Sequence, residues 1–122
     1  MGKKIMVVDD EPDTIELARA VLEMNGLDVI SFTSAEEALK TLESGKLPDL
    51  IILDMRMPHI SGPDFCKRVR DNPKTKGLKI VFFTASSFKD NELASKYGVL
   101  GYIFKPFDND KLVKQINEFL AK

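Results

Sequence analysis

Asp49-Leu50-Ile51-Ile52-Leu53-Asp54-Met55-Arg56-Met57-Pro58 runs from one carboxylate through four unbroken apolar residues to another. A strand with one wet face alternates apolar and polar side chains. A short run with no polar member reads instead as a strand buried on both faces, as in a parallel sheet covered by helices. Pro58 disfavours helical backbone before it, so the segment after Asp54 is extended or turned. Asp54 is therefore no helix cap, and its carboxylate stands at the end of a buried strand.

The same grammar repeats outward in both directions. Ile5–Val8, Val29–Phe32, Ile80–Phe83 and Tyr102–Phe104 are short runs rich in β-branched or aromatic residues. Amphipathic stretches lie between them. Ile15, Ala18, Val21 and Leu22 share one helical face, as do Ala35, Ala38, Leu39 and Leu42. Phe65, Cys66 and Val69 mark a third helix, Leu93, Ala94 and Tyr97 a weak fourth, and Leu112, Val113, Ile116, Phe119 and Leu120 a strong fifth. Ser34 with Glu37 forms a capping box, Ser61 caps the third helix ahead of Pro63, and Gly26 and Gly98 sit where left-handed stops belong.

Five β-then-α units predict an α/β fold of three layers, a doubly wound (βα)5 parallel sheet. The runs at Ile5, Leu50 and Ile80 are wholly apolar and suit central strands; the second contains Ser31 and the fifth is short, which suits edges. Strand order 2-1-3-4-5 satisfies this and the right-handed crossover rule. In that order the chain reverses direction between strands 1 and 3, opening a crevice above their carboxyl ends.

Strand ends that converge there carry chemistry: Asp9-Asp10, Asp54, Thr84 and Lys105-Pro106. Crowded carboxylates repel, so they must bind protons or share a cation. A hard, oxygen-preferring ion such as Mg²⁺ is the natural partner. Three carboxylates against one Mg²⁺ and one lysine approach neutrality, leaving Asp54 as a nucleophile able to form an aspartyl-phosphate. Read alone, Asp9 and Asp10 are equally good caps for a first helix opening at Pro12. Thr84 alone would be a strand-end residue, Lys105 a solvated charge and Tyr102 edge packing.

The 122 residues suit one domain, 1–122; 43% are hydrophobic, 30% charged, and the formal net charge is -1. No basic surplus points to direct nucleic-acid binding. Cys66 is the only cysteine, so no internal disulfide forms. Neither a signal core nor a membrane-length apolar run is present, and a cytoplasmic location is expected.

Taken together, Val7-Val8-Asp9-Asp10-Glu11-Pro12, the stretch 49–58, Gly62, Phe83-Thr84-Ala85 and Gly101-Tyr102-Ile103-Phe104-Lys105-Pro106-Phe107 resemble the receiver domains of two-component response regulators, the CheY-like, flavodoxin-like group. The resemblance spans the whole chain. It implies a phosphoacceptor switch rather than an enzyme, with Asp54 phosphorylated from a sensor histidine kinase or histidine phosphotransfer protein. It further implies Asp10 as a direct Mg²⁺ ligand, Asp9 acting through water, the backbone carbonyl of Arg56 as another ligand, and Lys105 and Thr84 on the phosphoryl group. Ala85 would leave room for that group, Tyr102 would be the aromatic switch residue, and Lys105-Pro106 would be cis. The face of the fourth helix, fifth strand and fifth helix would bind partners, as a monomer or a phosphorylation-dependent dimer with no output domain. A flavodoxin-type electron carrier would need a phosphate-binding loop where Asp9-Asp10-Glu11-Pro12-Asp13 instead repels phosphate, and a haloacid-dehalogenase-type phosphatase would separate the first two aspartates by one residue.

Overall fold

All five apolar runs become parallel strands of one sheet, with order β2-β1-β3-β4-β5. The computed structural model describes residues 2–57, 59–85 and 91–122. Its elements are β1 (Lys4–Val8), α1 (Pro12–Met24), β2 (Asp28–Phe32), α2 (Ala35–Glu43), β3 (Leu50–Asp54), α3 (Gly62–Asp71), β4 (Ile80–Ala85), α4 (Asn91–Lys96), β5 (Tyr102–Lys105) and α5 (Asn109–Leu120). β3 is buried along its whole length, and the two edge strands are the least buried or the shortest.

Side chains alternate across each strand, so every strand feeds two cores. Ile5, Val7, Leu50, Ile52, Val81, Phe83 and Ile103 pack under α1 and α5. Met6, Val8, Ile51, Leu53, Ile80, Phe82 and Tyr102 pack under α2, α3 and α4. Register then fixes what lies beyond. Val8 pairs with Leu53, Asp54 with Phe83, and Ala85 with Lys105. Asp54 and Lys105 thus continue the parity of the α1/α5 face, as does Asp9, the next residue after β1. Thr84 continues the parity of Phe82 and Tyr102, on the opposite face.

Local signals place the helix starts. Ser34 Oγ accepts the Glu37 amide at a long 3.4 Å, and Ser61 Oγ accepts that of Asp64 at 3.2 Å. Gly26 and Gly98 have φ of 80° and 65°, the left-handed stops expected of them. Pro58, used to keep the segment after Asp54 out of a helix, lies outside the described residues, as does the side chain of Ala85.

Candidate functional site

Asp54, Thr84 and Lys105 are not loop residues following the strands but lie within the strand ends, Asp54 and Lys105 being the last residues of β3 and β5. Ladder hydrogen bonds and the pleat therefore hold their backbones. Asp9 and Asp10 lie in the turn from β1 to α1. The structure assigns the cap position of α1 to Glu11, with no side-chain cap, and Asp9 Oδ1 accepts the Glu11 amide at 2.9 Å. Asp9 thus partly serves the capping reading and the site reading at once, and the helix N-terminus favours carboxylates there.

One ammonium joins the acids. Lys105 Nζ lies 2.6 Å from Asp9 Oδ2, 3.3 Å from Glu11 Oε1 and 3.5 Å from Asp54 Oδ2. The contact to Asp9 is short enough for an ion pair but outside hydrogen-bond angles, so Asp9 Oδ2 is a fully buried oxygen held by charge alone. Asp54 Oδ1 accepts the Arg56 amide at 3.1 Å. Asp9, Asp10, Glu11 and Asp54 each offer an oxygen, and these oxygens lie within 4.8 Å of one another. Glu11 is the member that sequence reasoning gave no role; its place directly after Asp9-Asp10 was the available signal.

Electrostatics follow from that crowding. Asp54 is 5% exposed, and burial pushes its carboxyl up to about 6. The Arg56 amide and Lys105 pull the other way, and the charges of Asp9 and Asp10 add to the rise. Burial by itself lowers Lys105, but its close contact with Asp9, the charges of Asp9 and Asp54 and its hydrogen bond to Glu11 outweigh it and hold the ammonium above its usual range. Cys66 is buried as well, its thiol pushed up to about 12 by burial against a smaller opposing pull from Arg70.

The loop after Asp54 is folded tightly back. The Gly62 amide donates to Met55 O at 3.1 Å, and a Cβ at Gly62 would come 2.8 Å from Met55 Cα, so only glycine permits this closure. Within that loop His59 takes a φ of 70°, uncommon for a residue with a side chain. Thr84 is buried. Tyr102 also lies inward, 5.6 Å from Phe82 and stacked on Phe104 at 5.8 Å. Lys105-Pro106 is cis, as the resemblance implied. Arg56, in the same loop, is exposed.

A doubly wound sheet of order 2-1-3-4-5 with acids and a lysine gathered at its switch point defines the class of CheY-like α/β signalling domains. The chain belongs to the response regulator receiver domain family, whose sequence profile matches residues 5–117. It is 37% identical to the alkaline phosphatase synthesis transcriptional regulatory protein PhoP of Bacillus subtilis, over 100% of this chain and 50% of that one. It thus spans about half the length of such transcriptional regulators. The chemotaxis response regulator CheY4 of Vibrio cholerae superposes with a TM-score of 0.89 at 27% identity, over 98% of this chain and 99% of that one. The receiver domain of sensor histidine kinase PA1611 from Pseudomonas aeruginosa, solved with a magnesium ion coordinated in its active site cleft, shares the fold at a TM-score of 0.87 and 24% identity, covering 100% of both chains. Receiver domains are phosphoacceptor switches of two-component systems, phosphorylated through histidine kinases or phosphotransfer proteins.

Proposed function

We propose that Asp54 is the phosphoacceptor of this domain and that Asp9, Asp10 and Asp54, with the backbone carbonyl of Arg56, hold a Mg²⁺ ion beside it. The observation that carries the reading is one lysine shared among Asp9, Glu11 and Asp54 at the sheet's switch point. The donor set fits the ion: all the side-chain donors are oxygens, they lie close together, and one buried oxygen, Asp9 Oδ2, has no hydrogen bond. When bound, Mg²⁺ would neutralise charge on the incoming phosphoryl oxygens.

Chemistry at the protein's own atoms is then a displacement. A carboxylate oxygen of Asp54 forms a bond to phosphorus as the phosphorus–leaving-group bond breaks, and the donor departs with that electron pair. With acetyl phosphate the leaving group is acetate; with a phosphohistidine donor it is the imidazole nitrogen. Lys105 balances the charge of the phosphoryl oxygens, and the Thr84 hydroxyl donates to one of them. The strand-end placement of these groups supplies the orientation that phosphoryl transfer chiefly needs.

Phosphorylation replaces one carboxylate charge by roughly two and adds strong acceptors. Drawing Thr84 toward them frees space on its own sheet face, where Tyr102 packs, and shifts the population toward a second arrangement of α4, β5 and α5. That face would contact downstream partners from a cytoplasmic domain, as a monomer or phosphorylation-dependent dimer. No helix of the described residues is long and apolar enough to cross a membrane.

Incubation with radiolabelled acetyl phosphate and Mg²⁺ tests the assignment. The parent protein is expected to take up a hydroxylamine-labile phosphoryl group and Asp54→Asn none. A hydroxylamine-resistant, acid-stable phosphate on another residue would overturn it.

A further inference from the structure

Lys105 reaches the carboxylates across an aromatic ring that belongs to no acid–base pair. Its Nζ stands 5.0 Å from the ring centroid of Phe83. Phe83 pairs with Asp54 on one side and with Ile103 on the other. It therefore shares the sheet face of both Asp54 and Lys105, level with Asp54 and one same-face step before Lys105. The ring is 1% exposed and packs against Phe107 at 5.7 Å with an interplanar angle of 41°. Phe107 follows Lys105 by two residues, so the segment that carries the ammonium also supplies the ring that wedges Phe83.

Of the three acids around Lys105, Glu11 is the most exposed and would draw the ammonium outward to solvent. Asp9 and Asp54 draw it inward. An electron-rich ring face beneath the ammonium favours the inward placement, because the ring quadrupole attracts a cation that has lost part of its hydration. Burial of Phe83 and its wedging by Phe107 keep that face from turning away.

We infer that Phe83 is a positioning residue: its ring face, braced by Phe107, holds the Lys105 ammonium over Asp54 instead of letting it follow Glu11 into solvent. The kinetic consequence rests on Asp54 being phosphorylated with Lys105 on the phosphoryl oxygens; the placement itself does not.

Mono-, di- and trifluorinated phenylalanine at position 83 would test this, since added fluorine drains the ring quadrupole and leaves the ring shape in place. Two readouts are taken on the full chain: the Lys105 Hε chemical shifts and the initial rate of phosphorylation by acetyl phosphate with Mg²⁺. In the parent protein the Lys105 Hε protons are expected upfield from the ring current, and Phe83→Leu is expected to remove that shift. Across the fluorine series the rate is expected to fall stepwise, by about threefold to tenfold in all, with the melting temperature held. A flat rate series, or Lys105 Hε shifts unchanged in Phe83→Leu, overturns the inference. A parent protein that takes up no phosphoryl group would sink the phosphoacceptor reading alone, and the Lys105 shifts would still decide the placement.

Discussion

Burial of the Asp54 carboxylate costs free energy that its neighbours only partly offset, and the cost has a definite pH dependence. Burial, with help from Asp9 and Asp10, raises its pKa from an unfolded value of 3.8 to about 6 in the fold. The folded state therefore holds the Asp54 proton more tightly. That contribution is fully present below the unfolded value and is lost as pH rises through about 6, so above it the ionised group is a cost. The difference corresponds to a few kcal/mol, on the order of 2 to 3. Without metal, Asp54→Asn is therefore expected to be more stable than the parent at pH 8. The margin should shrink through pH 6 and vanish below the unfolded value, as urea melts at several pH values would report. A constant margin at all pH values would show that the gain comes from packing. Much of this site was legible from residue type alone: acids, a hydroxyl and a lysine at successive strand ends have few shared uses. Two members were not. Glu11 carries no role of its own in the motif that contains it, and Phe83 stands only as the last residue of an apolar run. A sequence gives no sign of which core ring lies under an ammonium.

At the scale of elements, periodicity and caps placed all five strands and five helices, because each strand is a short apolar run and most helices carry a clear stripe. The weak point is α4, whose one buried residue is Ala94. Such a helix owes little to packing, and contacts that sequence patterns do not show tie it down. Arg70, on α3, donates from Nε to Tyr97 O at 2.7 Å and from Nη2 to Gly98 O at 3.2 Å, just past the end of α4. From Nη1 it donates to Lys76 O and Leu78 O, at 2.7 and 2.6 Å, in the loop before β4. The planar guanidinium fork fits several carbonyls at once; an ammonium does not. Arg70 stands among the polar residues of α3, and the four carbonyls it serves come from backbone 6 to 28 residues downstream, which no local motif announces. Arg70→Lys is expected to cost about 2 to 3 kcal/mol, since bonds to charged donors are the stronger kind and several carbonyls lose theirs. Amide exchange should quicken at Tyr97, Gly98 and Val99 more than in β1 or β3. Uniformly faster exchange across the sheet would show instead that the clasp supports the whole domain and not the end of α4.

For the whole molecule the decisive quantity is a local charge excess inside a nearly neutral chain. Formal net charge is -1, yet among the described residues four acids share one rim with Lys105 between them. The fold brings that excess together: β1 and β3 are neighbours only because the crossovers reverse there, β3 ends in Asp54, and Asp9 and Asp10 follow directly on β1. Folding therefore assembles repulsion that the unfolded chain, with Asp9 and Asp54 far apart in sequence, does not feel. A divalent cation that binds the assembled rim and not the unfolded chain must then stabilise the fold by mass action. At tenfold excess over its dissociation constant the gain is about 1.4 kcal/mol. For a domain of this size that is a rise of roughly 3 to 6 °C in melting temperature. Sodium chloride at matched ionic strength screens the same charges without bridging them, so it is expected to give a smaller rise. Asp10→Asn separates the two effects. It removes one exposed acid from the rim, so the metal-free melting temperature should hold or increase slightly while the response to Mg²⁺ largely disappears. If the parent and Asp10→Asn respond alike to Mg²⁺, and no more than to sodium chloride, the acids of this rim act as a diffuse charge and not as ligands.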